Sequence, residues 1–303
     1  MRTPPVDRWQ GIGHGILFAL CAAILFGLST PLAKILLASM TPLALASLLY
    51  LGSGLGTAML IPFRYLLKER IAPQKPLERG DLWLFFASVI AGGVIAPGAL
   101  MFGLERTPAS TASLLMNFEA AATGAIAFAL FHERPGKRLG VAILILTLAA
   151  SLLSIRHEGE WAISAGALLV VISCILWGLD NNITGILSVK DPIEIAAIKG
   201  VIAGACLLLL SLSQGLPAAA PGTIAAALLL GAVSYGISIV LYILAMRALG
   251  AVRACSFFSL APFAGAGLSI LLLQERIDIW FVLALLLMAV GVRLLVQEHR
   301  LRS

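Results

Sequence analysis

Two carboxylates lie deep within apolar stretches of this sequence, Glu119 in SLLMNFEAAATGAIAF and Asp180 in WGLDNNITG. A charged carboxylate at the centre of a membrane helix costs about 2.5–3.5 kcal/mol on insertion scales, so such groups face a bundle interior or a wet cavity. There they can bind a cationic group or exchange a proton. The alternative for both residues is a structural role, in which the carboxyl group is hydrogen-bonded to a neighbouring helix.

The residues around Asp180 add other features of a binding site. On a helix, Trp177, Asp180 and Asn181 share one face, because they are three and four residues apart. An aromatic wall beside a carboxylate and an amide suits a cationic or zwitterionic solute. Asn182 lies about 100° further round the helix, where it could bond a neighbouring helix. We therefore predict that Trp177, Asp180 and Asn181 bind substrate.

Two more polar residues are candidates for the same site. Asn117 is two residues from Glu119 and does not share its face closely. It could line a cavity, or it could hydrogen-bond to Ser113, four residues earlier. Tyr242 follows Tyr235 by seven residues, which places both on one helix face. Lining a cavity and anchoring the bundle both remain open for Tyr242.

The elements that must position these residues are membrane helices. The chain is 60% hydrophobic and 12% charged, whereas a soluble domain carries about 25% charged residues. About 20 apolar residues span a bilayer as a helix, and breaks between such runs define ten predicted spans. They lie near 15–37, 42–65, 82–104, 109–131, 138–155, 164–188, 193–213, 222–246, 251–273 and 279–297. The predicted fold is an all-α integral membrane protein with no soluble domain.

The basic residues indicate how the chain crosses the membrane. If the N-terminus is cytoplasmic, sixteen Lys and Arg residues fall in cytoplasmic segments and three, Arg106, Arg156 and Arg276, fall outside. We therefore predict a multi-pass protein of the cell membrane, a bacterial inner membrane, with both termini in the cytoplasm. This topology explains the pI of 9.4, and no nucleic-acid partner is expected.

Two lysines fall inside predicted spans. Lys34 ends the first span, and Lys199 is about two turns into the seventh. Both are interpreted as snorkelling to a membrane surface, which keeps the ammonium in water while the stem stays in hydrocarbon. For Lys34 the alternative is a counter-ion to a cavity carboxylate.

The two halves of the sequence repeat. LFGLSTPLAKILLASMTPLALASLLYLG begins at residue 25, and LWGLDNNITGILSVKDPIEIAAIKGVIAG begins at residue 176. Later, FHERPGKRLGVAILIL parallels LQERIDIWFVLALLL. Each half holds five spans, and because five is odd the second half must enter the membrane inverted. We divide the chain into repeats at 1–155 and 156–303. Many secondary transporters are inverted repeats with a binding site near the midplane between them.

The LFG…K and LWG motifs in the first span of each repeat, and HER and QER at the end of the fourth, resemble the drug/metabolite transporter superfamily, and most closely its EamA-type group. The resemblance covers nearly the whole chain. It implies cytoplasmic termini, a central cavity and export of small metabolites or drugs by alternating access. Members of this group often carry proline in the fourth span of a repeat. The second half has Ala261-Pro262 there, whereas the aligned pair in the first half is Glu119-Ala120.

We therefore expect a secondary transporter that exports small organic metabolites, such as amino acids and related solutes, or drugs. Glu119 and Asp180 are the candidates for proton coupling, because desolvation near the bilayer centre favours a neutral carboxyl group. The alternative is a non-transporting receptor or scaffold that retains the fold. The expected partners are a small-molecule substrate, the lipid bilayer and protons, with the chain acting as a monomer or a homodimer.

The sequence shows no recognisable enzyme motif. The four histidines lie at predicted span ends or in loops, and the sequence has no HExxH, CxxC, Walker or GxSxG pattern. We therefore predict no catalytic residue, no metal site and no cofactor, and the chain is not expected to be an enzyme.

Overall fold

The computed structural model describes residues 8–64, 77–131, 137–156, 162–213 and 219–300. These residues form ten helices, which we call α1 to α10 in chain order. Seven of them contain stretches long and apolar enough to cross a membrane, and three, α2, α5 and α10, have shorter apolar stretches. Large apolar side chains such as Leu130, Leu209 and Leu271 lie exposed on the outside of the bundle, as the surface of a multi-pass membrane protein requires.

In the first half, α1 is Arg8–Gly27 and Ser29–Leu36, α2 is Pro42–Ala58, α3 is Leu82–Ser88, Val89–Ile95 and Ala96–Glu105, α4 is Ala109–Leu115 and Phe118–Phe131, and α5 is Lys137–Ser154. Short turns at Ile61–Arg64 and Arg79–Asp81 follow α2 and precede α3. Because α2 ends at Ala58, it is shorter than the predicted span 42–65.

In the second half, α6 is Ala165–Leu187, α7 is Pro192–Leu212, α8 is Pro221–Leu230, Gly231–Ile237 and Ser238–Leu249, α9 is Ala251–Phe258 and Ala261–Leu273, and α10 is Ile279–Arg300. Between the halves, β1 (Ile155–Arg156) pairs antiparallel with β2 (Ala162–Ile163). The all-α prediction missed this ribbon, which is too short to carry an alternating pattern.

The second helix of each half begins in the same way. The side chain of Thr41 accepts a hydrogen bond from the backbone N–H of Ala44, and Pro42 stands at the start of α2. Asp191 likewise caps α7, and Pro192 follows it. A short polar residue as N-cap and proline in the first turn are strong helix-start signals. The Thr-Pro and Asp-Pro pairs of the sequence repeat therefore have the same structural role.

Four helices are interrupted at corresponding places in the two halves. The π-helical segments are Val89–Ile95 in α3 and Gly231–Ile237 in α8, and two-residue turns divide α4 at 116–117 and α9 at 259–260. Pro97 follows the π segment of α3, and Pro262 follows the turn in α9. The equivalent interruptions in α8 and α4 have no proline, so the position in the repeat rather than proline alone determines where these helices break.

The packing of the helices is equivalent in the two halves. Helix α1 packs against α8 and α9, and α6 packs against α3 and α4, while α2 packs on α7 and α5 on α10. Exchanging α1–α5 for α6–α10 therefore reproduces the same set of pairs. Glycines allow the α2–α7 crossing, because a Cβ on Gly54 would lie 2.4 Å from the backbone nitrogen of Val201 and one on Gly200 would lie 2.5 Å from that of Gly54.

Basic side chains tie the ends of helices together. Lys34 Nζ on α1 donates to the carbonyl oxygen of Leu104 at 2.5 Å, near the end of α3. Arg247 Nε on α8 donates to the carbonyl oxygen of Ser188 at 2.6 Å, just after α6. Cations at helix C-termini satisfy the last carbonyl groups and the helix dipole. Lys34 therefore caps a neighbouring helix and is not the counter-ion of a cavity carboxylate.

The connection between α6 and α7 is also tied to the start of α3. Lys190 Nζ lies 2.8 Å from Asp81 Oδ2 and 3.2 Å from Glu78 Oε1. The hydrogen bond to Asp81 raises the pKa of Lys190 above its usual value. This cluster holds the α6–α7 connection to α3 at the end of the bundle nearest the cavity described below.

Candidate functional site

A cavity of about 610 Å³ lies between the two halves of the bundle. Helices α1, α2 and α4 contribute to it from the first half, and α6, α7, α8 and α9 from the second. Its lining residues are Phe26, Tyr50, Glu119, Trp177, Asp180, Asn181, Thr184, Ile195, Lys199, Tyr235, Ser238, Ile239, Tyr242, Ile243, Met246 and Phe258. A smaller space of about 230 Å³ adjoins it and shares Phe26, Glu119 and Phe258.

Asp180 forms an ion pair inside this cavity. Lys199 Nζ on α7 lies 2.7 Å from Asp180 Oδ1 and 2.6 Å from Oδ2. Ser88 on α3 donates to Oδ1 at 2.5 Å, and Thr184 donates to the same oxygen at 3.1 Å. The carboxylate is thus held by side chains from three helices, and its charge is compensated by Lys199.

Glu119 is bonded differently. Among the residues that the structure describes, the one side-chain donor to it is Asn181, whose Nδ2 lies 2.7 Å from Oε1. Asn181 also donates to Thr123 Oγ1 at 3.2 Å. No described Lys or Arg pairs with Glu119, so this buried carboxyl group lies beside an amide with no compensating cation.

The carbonyl group of Gly92 orients two aromatic side chains of the site. Tyr50 donates its hydroxyl to this oxygen at 2.8 Å, and the Trp177 indole N–H donates to it at 3.0 Å. Gly92 lies in the π segment of α3, where the altered bonding pattern is typical of functional sites. A Cβ at this position would lie 2.1 Å from Asp180 Oδ2. Glycine is therefore required for the close approach of α3 to α6.

Aromatic rings form much of the cavity wall. Phe26 lies against Trp177, Tyr235 and Phe258, with ring centroids 6.1, 5.3 and 5.2 Å apart. Tyr242 stacks on Phe258 at 4.4 Å. The hydroxyl of Tyr242 is buried without a hydrogen-bond partner. Tyr242 thus both lines the cavity and packs in the bundle, the two roles left open above.

Asn117 is the predicted site residue that the structure does not bring to the cavity. Its Nδ2 donates to Met288 Sδ at 3.7 Å, so the side chain faces α10. The expected hydrogen bond with Ser113 is not formed, because Ser113 Oγ and Asn117 Oδ1 are both buried without a partner. Asn117 lies in the turn at 116–117, so helical spacing does not relate it to the face that carries Glu119. Asn182 does bond a neighbouring helix, donating to the Thr123 carbonyl oxygen at 3.0 Å.

The sequence analysis missed several residues of the site, and Lys199 is the most important. Its snorkelling interpretation is wrong, because the side chain is buried and paired with Asp180. The signal was available: an intramembrane lysine and an intramembrane aspartate one helix apart are expected to pair. Phe26 could also have been found, because it occupies the place of Trp177 in the sequence repeat. The roles of Ser88 and Gly92 depend on the path of α3 and had no sequence signal.

Comparisons with known proteins agree with this architecture. The profile of the EamA-like transporter family matches residues 13–155 and again residues 164–297. An uncharacterized transporter of Methanothermobacter thermautotrophicus (strain Delta H) is 28% identical over 295 residues, covering 93% of this chain and 85% of the relative. A solved crystal structure superposes with a TM-score of 0.69 at 17% identity, covering 96% of this chain and 99% of the other, and supports the fold alone. The two family matches cover most of the chain, which is therefore a multi-pass membrane protein of the EamA-like transporter family.

Proposed function

We propose that the chain is a secondary transporter that exports small organic solutes, metabolites related to amino acids or drugs, by alternating access through the cavity between its halves. Trp177, Asp180, Asn181 and Tyr242 contribute to the substrate site. The observation that carries the proposal is a cavity of about 610 Å³ at the interface of two similar halves, lined by buried ionisable groups. A scaffold could use Glu119 for its hydrogen bond to Asn181, but it would not need a cavity beside that carboxyl group.

Alternating access requires two halves that can exchange roles. We take the halves as 1–155 and 156–303, each with five membrane helices, the second inverted relative to the first. The equivalent helix pairs and the corresponding interruptions in α3, α8, α4 and α9 support this relation. In inverted-repeat transporters, broken helices surround a site that one repeat opens to each side in turn.

The cavity lies closer to one end of the bundle than to the other. Its lining residues on α6, α7 and α8 lie toward the ends joined by the α6–α7 and α8–α9 connections. With both termini in the cytoplasm of a bacterial inner membrane, as the Lys and Arg distribution favours, these ends face the cytoplasm. The described conformation then accepts solute from inside the cell.

Proton movement is the proposed source of energy. Asp180 and Glu119 were both candidates, but Asp180 already has its charge compensated by Lys199. Glu119 faces both cavities and has no described cation partner. A carboxyl group in this setting can bind a proton on one side of the membrane and release it on the other.

Flux through reconstituted protein tests the proposal. Proteoliposomes are loaded with pooled isotope-labelled amines, amino acids and other metabolites, and efflux is measured with and without an inward pH gradient. We expect solute efflux that the gradient accelerates and that empty liposomes lack. Solute flux that does not depend on the pH gradient would contradict proton coupling. Absence of flux for every solute would contradict the transport function.

A further inference from the structure

We propose that the solute is an organic amine with one positive charge, at least two N–H bonds in its protonated form and no carboxylate. This inference rests on the proposed transport function and names the substrate class of the same cavity. It follows from the charges that line the cavity, from the donors that are already used, and from one hydroxyl group that has no partner.

When Glu119 is ionised, the cavity has one uncompensated negative charge, which either a proton or a bound cation can neutralise. Its lining includes two carboxylates, on Glu119 and Asp180, and one ammonium, on Lys199. Lys199 lies 2.6 Å from Asp180, so this pair is neutral as a unit. Glu119 remains, and within the described part of the chain its side-chain partner is the neutral amide of Asn181. A monovalent cation beside Glu119 would neutralise the cavity, and burial of a charge without a partner is costly.

A carboxylate on the solute would find no free cation. An ammonium group has three N–H donors. Those of Lys199 are directed to Asp180 Oδ1 at 2.7 Å, Asp180 Oδ2 at 2.6 Å and Ser88 Oγ at 2.9 Å. No other Lys or Arg lines the described cavity. An amino acid would therefore have to break this ion pair or bury its carboxylate unpaired, and both cost free energy.

The hydroxyl of Tyr242 provides a second contact for the amine. Tyr242 lines the cavity, is 7% exposed, and its hydroxyl has no hydrogen-bond partner. The thiol of Cys255 is close enough to interact with this hydroxyl, but a thiol is a weak hydrogen-bond partner. A primary or secondary amine can donate one N–H to Glu119 and another to Tyr242. A quaternary ammonium has the charge but would leave the hydroxyl unsatisfied.

The remaining wall suits an apolar or aromatic body on the amine. Phe26, Trp177 and Phe258 bring their rings together at one side of the cavity, with Tyr242 stacked on Phe258. Aromatic rings attract organic cations through their faces and bury apolar groups. The chemistry of the whole cavity is therefore that of a compact amine with a hydrophobic substituent.

Four solutes with one skeleton test the inference on the purified full-length protein. They are phenethylamine, its N,N,N-trimethyl derivative, phenylalanine and 2-phenylethanol. We expect phenethylamine to raise the thermal unfolding temperature and to be transported. Its Kd should be at least tenfold lower than the Kd of each of the other three. Phenylalanine differs by the added carboxylate, and the trimethyl derivative has three methyl groups in place of the N–H hydrogens.

Two matched variants separate the Tyr242 contact from general damage. Tyr242→Phe should reduce the preference for phenethylamine over its trimethyl derivative to less than threefold. Tyr50→Phe removes a hydroxyl from the same cavity, but that hydroxyl already bonds Gly92. It should therefore retain the tenfold preference even if it lowers stability.

Equal or tighter binding of phenylalanine would overturn the inference, as would failure of phenethylamine to bind at millimolar concentration. If phenylalanine or another zwitterion is transported while phenethylamine is not, the inference is wrong and the transport function stands. If no amine, amino acid or other metabolite crosses the membrane through the protein, both are wrong. Retention of the tenfold preference in Tyr242→Phe would exclude the Tyr242 contact.

Discussion

Lys199 on α7 and Asp180 on α6 form a buried ion pair in which Nζ lies within 2.7 Å of both carboxylate oxygens. The two side chains are 7% and 11% exposed. Ser88 on α3 bonds both partners, so three helices meet at this pair. A buried ion pair adds little net stability, but removal of one partner leaves the other charge uncompensated.

A double-mutant cycle should reveal this coupling. Asp180→Asn and Lys199→Met should each lower the free energy of unfolding by about 3–5 kcal/mol. The double variant should recover most of that loss, because neither change then leaves a buried charge alone. Chemical unfolding in detergent measures the cycle. Glu194→Gln, on α7 but outside the cavity lining, is the control, and additive effects of the two changes would contradict the pairing.

The same double variant tests the role of Asp180 in transport. If it is stable but has lost solute flux, the Asp180–Lys199 pair has a role in transport besides its structural one. If it is stable and transports normally, the pair is structural. Asp180→Asn alone cannot make this distinction, because the single change is expected to destabilise the bundle.

Helix α6 shows how much of the site could be read from the sequence. Spacing placed Trp177, Asp180 and Asn181 on one face, and all three line the cavity. The same geometry turned Asn182 toward a neighbour, which is α4. Relations within one helix follow from 3.6 residues per turn and need no knowledge of the fold. The Thr-Pro and Asp-Pro pairs of the repeat are equivalent helix starts in the structure.

Relations between helices were harder to predict. Lys199 was interpreted from its own helix as a snorkelling residue, and only the packing of α7 on the cavity shows that it reaches Asp180. The prediction that Asn117 lines the cavity was wrong for a local reason. The turn at 116–117 divides α4 without a proline. The carbonyl oxygen of Gly92 accepts hydrogen bonds from two aromatic side chains, and Gly92 lies in the π segment of α3. No residue pattern in the sequence predicts backbone geometry of this kind.

Gly92→Ala should damage the site and the stability together. The new Cβ would lie 2.1 Å from Asp180 Oδ2 and 2.6 Å from Asp180 Cβ, and the carboxylate cannot move away without leaving Lys199. We expect a loss of about 1–3 kcal/mol, the usual cost of overpacking, measured by chemical unfolding, with weaker solute binding. Gly98→Ala on the same helix is the control, since its Cβ would meet Leu43 Cδ2 at 3.7 Å, an ordinary contact. Similar losses in both variants would contradict the steric argument.

Glu275 links the end of α9 to the start of α4. Its carboxylate oxygens accept hydrogen bonds from the backbone N–H groups of Ala109 at 2.6 Å and Ser110 at 2.8 Å. Glu275→Ala should lower the free energy of unfolding by about 0.5–2 kcal/mol, the cost of losing an N-terminal cap. Glu275→Gln should cost less, because it keeps an oxygen acceptor and loses only the charge that favours a helix N-terminus.

The control for Glu275 is Glu105→Ala, which removes an exposed carboxylate whose contact is a 3.9 Å pair with Arg106. Exposed pairs of this kind contribute about 0–1 kcal/mol. Of the three variants, Glu275→Ala should therefore have the lowest thermal unfolding temperature. If the unfolding temperature of Glu105→Ala is equal to or lower than that of Glu275→Ala, the cap is not a stabilising contact.

The membrane topology can be tested by reporter fusions. Sixteen Lys and Arg residues on one side against three on the other predict cytoplasmic termini. A reporter fused after Ser303 should give a cytoplasmic signal, and one inserted between Arg156 and Ser164 should give an external signal. A cytoplasmic signal from the insertion would contradict the ten-span arrangement and, with it, the loading of the cavity from inside.

Glu119→Gln addresses energy coupling. Glutamine retains an oxygen acceptor at the cavity but cannot titrate, so it mimics a permanently protonated side chain. Coupling needs a group that binds a proton on one side and releases it on the other, and within the described cavity Glu119 is the carboxyl group without a cation partner. The variant should therefore lose accumulation driven by a pH gradient, while exchange of solute for solute remains measurable at higher solute concentration. Counterflow and gradient-driven uptake in the same proteoliposomes measure the two activities, with Glu194→Gln, which makes the same change outside the cavity lining, as the control. If the Gln variant concentrates solute under a pH gradient as well as the parent protein does, Glu119 is not the coupling site.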